Sequence, residues 1–133
     1  MSRHYAAVAQ RAGHRCEYCH APEAIFNFAF EVEHIIPRSR GGADDETNHA
    51  LACRSCNLYK SDHVLGMDET TQSEVRLYNP RLDTWAEHFE ADAKTGELRP
   101  LTSIGRVTVA LLQLNGVSQL EARRHWMRLG LFP

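Results

Sequence analysis

No apolar stretch in this sequence approaches the roughly 20 residues that a membrane-spanning helix requires. The opening residues, MSRHYAAVAQRAGHRC, lack the apolar core of a secretion signal. No segment repeats, and no tract is of low complexity. Net charge is small, −2 at pH 7, which speaks against a protein that coats nucleic acid along its whole surface. Cysteine is sparse, with four in 133 residues. With no secretion signal, the expected compartment is the cytoplasm and the expected state of those thiols is reduced. The remainder is ordinary for a globular protein: 43% hydrophobic and 24% charged, in a length that suits one domain with a real core.

The charge is unevenly spread. Residues 65–100 carry eight acids against four bases, whereas from residue 101 onward Glu121 stands alone against Arg106, Arg123, Arg124 and Arg128. A polyanion is therefore expected at the basic end or at the Arg38/Arg40 loop. Ser2 can cap a helix running to about Ala12, with Gly13 as its stop. Phe26, Phe28, Phe30 and Val32 alternate with Asn27, Ala29, Glu31 and Glu33, which predicts a strand with one apolar face. Pro37 and Gly41-Gly42 break it, and Asp44-Asp45-Glu46 reads as solvated loop. A second strand fits His49–Ala52, and a helix fits Arg54 to about Leu65. Residues 67–83, polar and interrupted by Asn79-Pro80, read as linker with some order. Trp85–Leu101 favours a hairpin turning at Lys94-Thr95-Gly96, although Thr84 and Glu87 have capping-box spacing for a helix. Helices follow over Ser103–Leu114 and Gln119–Leu129, the second with a Ser118/Glu121 capping box and Gly130 as its stop.

The four cysteines form two pairs, Cys16-x-x-Cys19 and Cys53-x-x-Cys56. Two such pairs supply four thiolates for a closed tetrahedral zinc site, which would be structural because no ligand position stays open. The second pair opens a helix, where the dipole and free N–H groups favour thiolate. Two disulfides in a secreted protein are the alternative. A thioredoxin-like pair lacks its surrounding βαβ pattern. Between the pairs lies Glu33-His34, an acid beside an imidazole at a strand end. On the residues alone it is a metal site, a general base or a plain polar strand end. Asn57, about 100° round the helix from Cys56, can face away from the zinc.

The order C-x2-C, E-H-I-I-P, G-G, N, C-x2-C-N, K over residues 16–60 resembles the HNH endonucleases, whose treble-clef (His-Me finger) core is a zinc-stapled ββα-metal unit. The resemblance implies a metal-dependent nuclease acting on nucleic acid, DNA first, leaving 5′-phosphate and 3′-hydroxyl ends. It implies His34 as the base that activates water, Asn48 as the residue orienting the loop or the histidine, and Asn57 as a ligand of a catalytic divalent cation, Mg²⁺ or Mn²⁺. Glu33 stands where the family usually has Asp, as that cation's other ligand. A hard cation suits such oxygen donors, and a neutral histidine suits proton abstraction near neutral pH. Arg38, Arg40, Arg54 and Lys60 are the expected phosphate contacts.

The expected architecture is α+β. An N-terminal helix and the zinc-stapled core span residues 1–66. An extension over residues 67–133, with a hairpin and two short helices, packs on that core as part of a single domain. A non-catalytic zinc module that binds nucleic acid or protein is the alternative function, and a toxin-type nuclease with an immunity partner is a weaker one. Trp85 and Trp126 are expected in the core rather than as base-stacking platforms.

Overall fold

Consecutive apolar residues, Ala50-Leu51-Ala52, make His49–Ala52 a strand that can be buried on both faces, and it is buried at all four positions, the polar His49 included. This strand, β2 (His49–Ala52), pairs antiparallel with β1 (Glu31–His34), with Glu33 opposite Ala50 and His34 opposite His49. The computed structural model describes residues 1–133. Before β1 comes helix α1 (Tyr5–Arg11), and after β2 comes helix α2 (Arg54–Lys60). Two further hairpins follow, β3 (Leu65–Asp68) with β4 (Ser73–Arg76), and β5 (Phe89–Ala91) with β6 (Leu98–Pro100), the one-turn helix α3 (Trp85–His88) leading into the latter. Helices α4 (Ser103–Leu111) and α5 (Val117–Arg128) close the chain. The architecture is mixed α and β, with small antiparallel hairpins around one core.

Several elements differ from the sequence-based expectation. The predicted strand over residues 26–33 begins only at Glu31, and a 3₁₀ turn at Glu23–Ile25 lies ahead of it. The phenylalanine alternation serves an aromatic cluster: Phe26 packs edge-on to Phe30 with centroids 4.9 Å apart and meets Trp126 at 6.1 Å, while Phe28 is exposed. Helix α2 stops at Lys60 rather than near Leu65, since Ser61 adopts a positive φ of 48°. Residues 67–83 hold most of a hairpin, clasped to α4 where Arg106 donates from Nε and Nη2 to the two oxygens of the buried Asp68, at 3.0 Å each. The Trp85–Leu101 stretch contains both a helical turn and a hairpin, and Thr84 makes no side-chain cap. At α5 the cap residue is Gly116 and the Ser118/Glu121 box does not form, whereas Thr102 caps α4 through its hydroxyl.

A single core cluster runs from Val8 and Ala9 of α1, through Leu51, to Leu98, Leu112, Leu114 and Phe132. Residues after position 66 thus share their interior with the hairpin and α2. Trp85 and Trp126 pack against this cluster, and the Trp85 indole donates to the Tyr18 carbonyl at 2.8 Å. Within α5, Arg123 is buried and donates to the carbonyls of Gly96 and Leu114, fixing the β5–β6 turn to the helix.

Candidate metal centre and histidine site

The four cysteines converge as the spacing predicts. Cys16 and Cys19 lie in a loop after α1, and Cys53 and Cys56 open α2, where the Cys53 sulfur accepts from the Cys56 N–H. The Cys16 sulfur accepts from the Cys19 N–H at the same 3.5 Å, so the two pairs are built alike. All four are buried and unpaired by disulfides, with one ligand atom of each within 4.8 Å of the others. The fit to zinc can be checked on a distance. A tetrahedron of Zn–S bonds of about 2.3 Å has S–S edges of about 3.8 Å, and Cys19 Sγ lies 3.7 Å from Cys53 Sγ. Without a cation these groups compete for protons. Hydrogen bonds from Cys16, Cys19 and Cys56 pull the Cys53 pKa far down, whereas hydrogen bonding within the cluster and burial push Cys19 and Cys56 up. A divalent cation would replace that competition with coordination by all four sulfurs. The residues fit zinc.

The loop between β1 and β2 is shaped by two glycines with different jobs. Gly41 takes φ +86° to end a 3₁₀ turn over Arg38–Arg40. At Gly42 a Cβ would lie 1.8 Å from the Ile36 carbonyl oxygen, so only glycine lets the loop close there. Asn48, buried, ties the same loop. Its Oδ1 accepts from Ile36 N–H at 2.9 Å, and its Nδ2 donates to the carbonyls of Ile36 and Ala43 at 2.9 and 2.8 Å.

His34 and Glu33 separate because neighbouring strand residues point to opposite faces. His34 turns toward the loop, 30% exposed, with Nε2 2.8 Å from Asp44 Oδ1. Buried His49, its cross-strand partner, places Nε2 3.0 Å from the same oxygen. These bonds hold the Asp44 carboxyl well below the usual carboxylate range, those from His34 first and His49 second. An ionised carboxylate only accepts, so His34 carries its proton on Nε2 and leaves Nδ1 free. The acidic cluster expected to be solvated loop is thus partly engaged. The cross-strand register was the signal for His49, once both strands had been placed.

Glu33 faces the other way, and its expected role as a cation ligand needs correction. It is buried, accepting from the Tyr18 hydroxyl at one oxygen and from Lys60 Nζ, 2.7 Å away, at the other. Burial raises its pKa and Lys60 opposes the rise. Burial also pushes the Tyr18 phenol well up, followed by the neighbouring Glu33 charge. Lys60 donates further to the Ile35 carbonyl at 2.8 Å and, at 3.4 Å, to that of His34. Lys60 is therefore no phosphate contact: it is 1% exposed and spends its charge inside. Its place was readable, since Cys56 and Lys60 lie four apart on one helix face. Asn57 meets Glu31 rather than Glu33, its amide donating to the Glu31 carboxylate at the open edge of α2 and β1. Arg38, Arg40 and Arg54 are exposed; Arg40 leans on Asp62, donating to its carbonyl at 2.8 Å.

A family model described as HNH endonuclease matches residues 16–63. No curated protein and no solved structure is a match. No helix is long and apolar enough to cross a membrane.

Proposed function

We propose, from the match of residues 16–63 to the HNH endonuclease family model, that the protein is a metal-dependent endonuclease hydrolysing phosphodiester bonds of DNA. The observation that carries this reading is the His34–Asp44 pair: a partly open imidazole, held at 2.8 Å by an ionised carboxylate, with its other nitrogen free. In this reading His34 Nδ1 takes the proton of the attacking water while Asp44 fixes the ring and balances the imidazolium that forms. Asn48 keeps the loop, and hence Asp44, in place. Phosphate contacts fall to Arg38, Arg40 and Arg54 on the exposed side of the loop and helix. A divalent cation such as Mg²⁺ or Mn²⁺ supplies charge stabilisation at the phosphate and the leaving oxygen. Asn57 is the residue whose oxygen would hold it, since both Glu33 oxygens are engaged by Tyr18 and Lys60.

The second reading is a zinc-stapled module that binds nucleic acid or protein without cutting. It is favoured by the same engagement of Glu33, which withdraws the carboxylate next to His34 from any cation. Plasmid nicking by wild type and His34→Ala, under matched Mg²⁺ or Mn²⁺ and with an EDTA control, separates the two. The expected result is metal-dependent nicking that falls by a factor of about 10²–10⁴ in the variant, the usual contribution of a positioned base. Equal nicking by both proteins removes His34 as the base. No cleavage of DNA or RNA with any divalent cation, with zinc retained and nucleic acid still bound, leaves the non-catalytic module.

A further inference from the structure

The histidine cluster extends beyond the pair used above. We propose that His4, Asp44 and His49 form a second metal site, for a borderline transition ion such as Zn²⁺, which ties the N-terminal helix to the loop carrying Asp44. One ligand atom from each of these three residues lies within 4.8 Å of the other two. The His4 and His49 rings are 4.6 Å apart between centroids and tilted by 44°. His4 occupies the cap position of α1 but makes no side-chain cap bond there, so its imidazole is not spent on its own helix. His49 is 1% exposed, and its Nε2 already points at Asp44. That burial supplies the pre-set ligand, and the half-buried His4 supplies the adjustable one.

The donor set decides the ion. Two imidazoles and one carboxylate suit Zn²⁺, Co²⁺ or Ni²⁺, whereas Mg²⁺ prefers oxygen donors alone. Zinc bonds to nitrogen and oxygen of about 2.0–2.2 Å place tetrahedral ligands about 3.4 Å apart. Closure from the observed spacing therefore takes roughly an ångström, within reach of a His4 side-chain rotation. Two arginines oppose it: Arg3 Nε lies 3.4 Å from His4 Nε2, and Arg38 Nη1 lies 3.7 Å from Asp44 Oδ2. Both arginines are exposed and free to swing into solvent. Their presence makes this site weaker than the thiolate site. Asp44 is shared with His34, but His34 is not required as a ligand.

The test is metal content after loading with Co²⁺ in excess Mg²⁺, which occupies all-oxygen sites, followed by dialysis. The two clusters predict that wild type retains one ion more than the thiolate site alone accounts for. His4→Ala should lose that ion while keeping the thiolate-to-cobalt charge-transfer band and a native circular dichroism spectrum. His34→Ala and Asn57→Ala should keep both ions, so the outcome does not depend on nuclease activity. Wild type holding only the thiolate-bound ion, or His4→Ala still holding both, overturns the proposal.

Discussion

A buried charge is worth most when its partner is removed, and Lys60 is the residue where this shows. Its ammonium is inside the protein with three oxygen acceptors, one of them the buried Glu33 carboxylate. Lys60→Ala leaves Glu33 desolvated with only Tyr18 as a donor. Stability should fall by about 3–5 kcal/mol, the usual cost of orphaning one member of a buried pair. Lys60→Met with Glu33→Gln should recover much of that loss, because it removes both charges together. Urea denaturation of the single and double variants measures it, and a Lys60→Ala loss below about 1 kcal/mol would mean that water reaches Glu33. At this scale the sequence was legible where chemistry is set by spacing along the chain. The four cysteines and the Gly41-Gly42 turn are of that kind. Asp44 and Lys60 were misjudged because charged residues are usually solvated; only the packing of the loop tells Asp44 from its neighbours, whereas Lys60 carries a local signal in sharing a helix face with Cys56.

Among the elements, the β3–β4 hairpin shows how a segment without periodicity becomes ordered. Glu69 to Gln72 form its turn, and the Asp68 side chain accepts from the Thr70 N–H and the Thr71 hydroxyl. The hairpin is marginal alone and is held by the two-pronged Arg106–Asp68 contact to α4. Hydrogen bonds from Arg106 lower the Asp68 pKa from 3.8 to about 2, although burial opposes the shift. The folded value lies below the unfolded one, so this contribution is fully present above about pH 4 and is lost as pH falls through 2. The protection factors of the β3–β4 amides, taken relative to intrinsic exchange at each pH, should therefore fall over that window in wild type. Asp68→Asn should show faster exchange already at neutral pH and no further step attributable to this contact. Unchanged protection in the variant would place the clasp elsewhere. Residues 67–83 read only as linker with some order because the pairing is anchored by a residue 38 positions away in the chain. In contrast, the His49–Ala52 strand is legible locally, because Ala50, Leu51 and Ala52 are consecutive apolar residues.

For the whole molecule, the zinc centre is the point through which the parts are joined. Its cysteines come from the loop after α1 and from the start of α2, and all four belong to the same core cluster as Leu98, Leu112, Leu114 and Phe132. Structural zinc sites contribute about 10–16 kcal/mol of apparent binding energy, as large as the ~5–15 kcal/mol by which a domain of ordinary stability is folded. Removing the ion also leaves four buried sulfurs crowded together without the cation that their spacing fits. Chelation should therefore unfold the chain rather than loosen one loop, and the C-terminal helices should melt with the hairpin because no separate interior holds them. Two probes can follow this. Trp85 stacks on His20, with centroids 4.0 Å apart, beside the zinc ligand Cys19, and Trp126 sits on the α5 side against Phe26. Tryptophan fluorescence and far-ultraviolet circular dichroism should change together as zinc is withdrawn, and elemental analysis should show the loss of about one tightly held zinc per chain. Full secondary structure persisting after the thiolate-bound zinc is gone would show instead that the apolar core alone carries the fold. In that case the cysteines would serve only to position α2 and the residues it presents, Asn57 and Lys60.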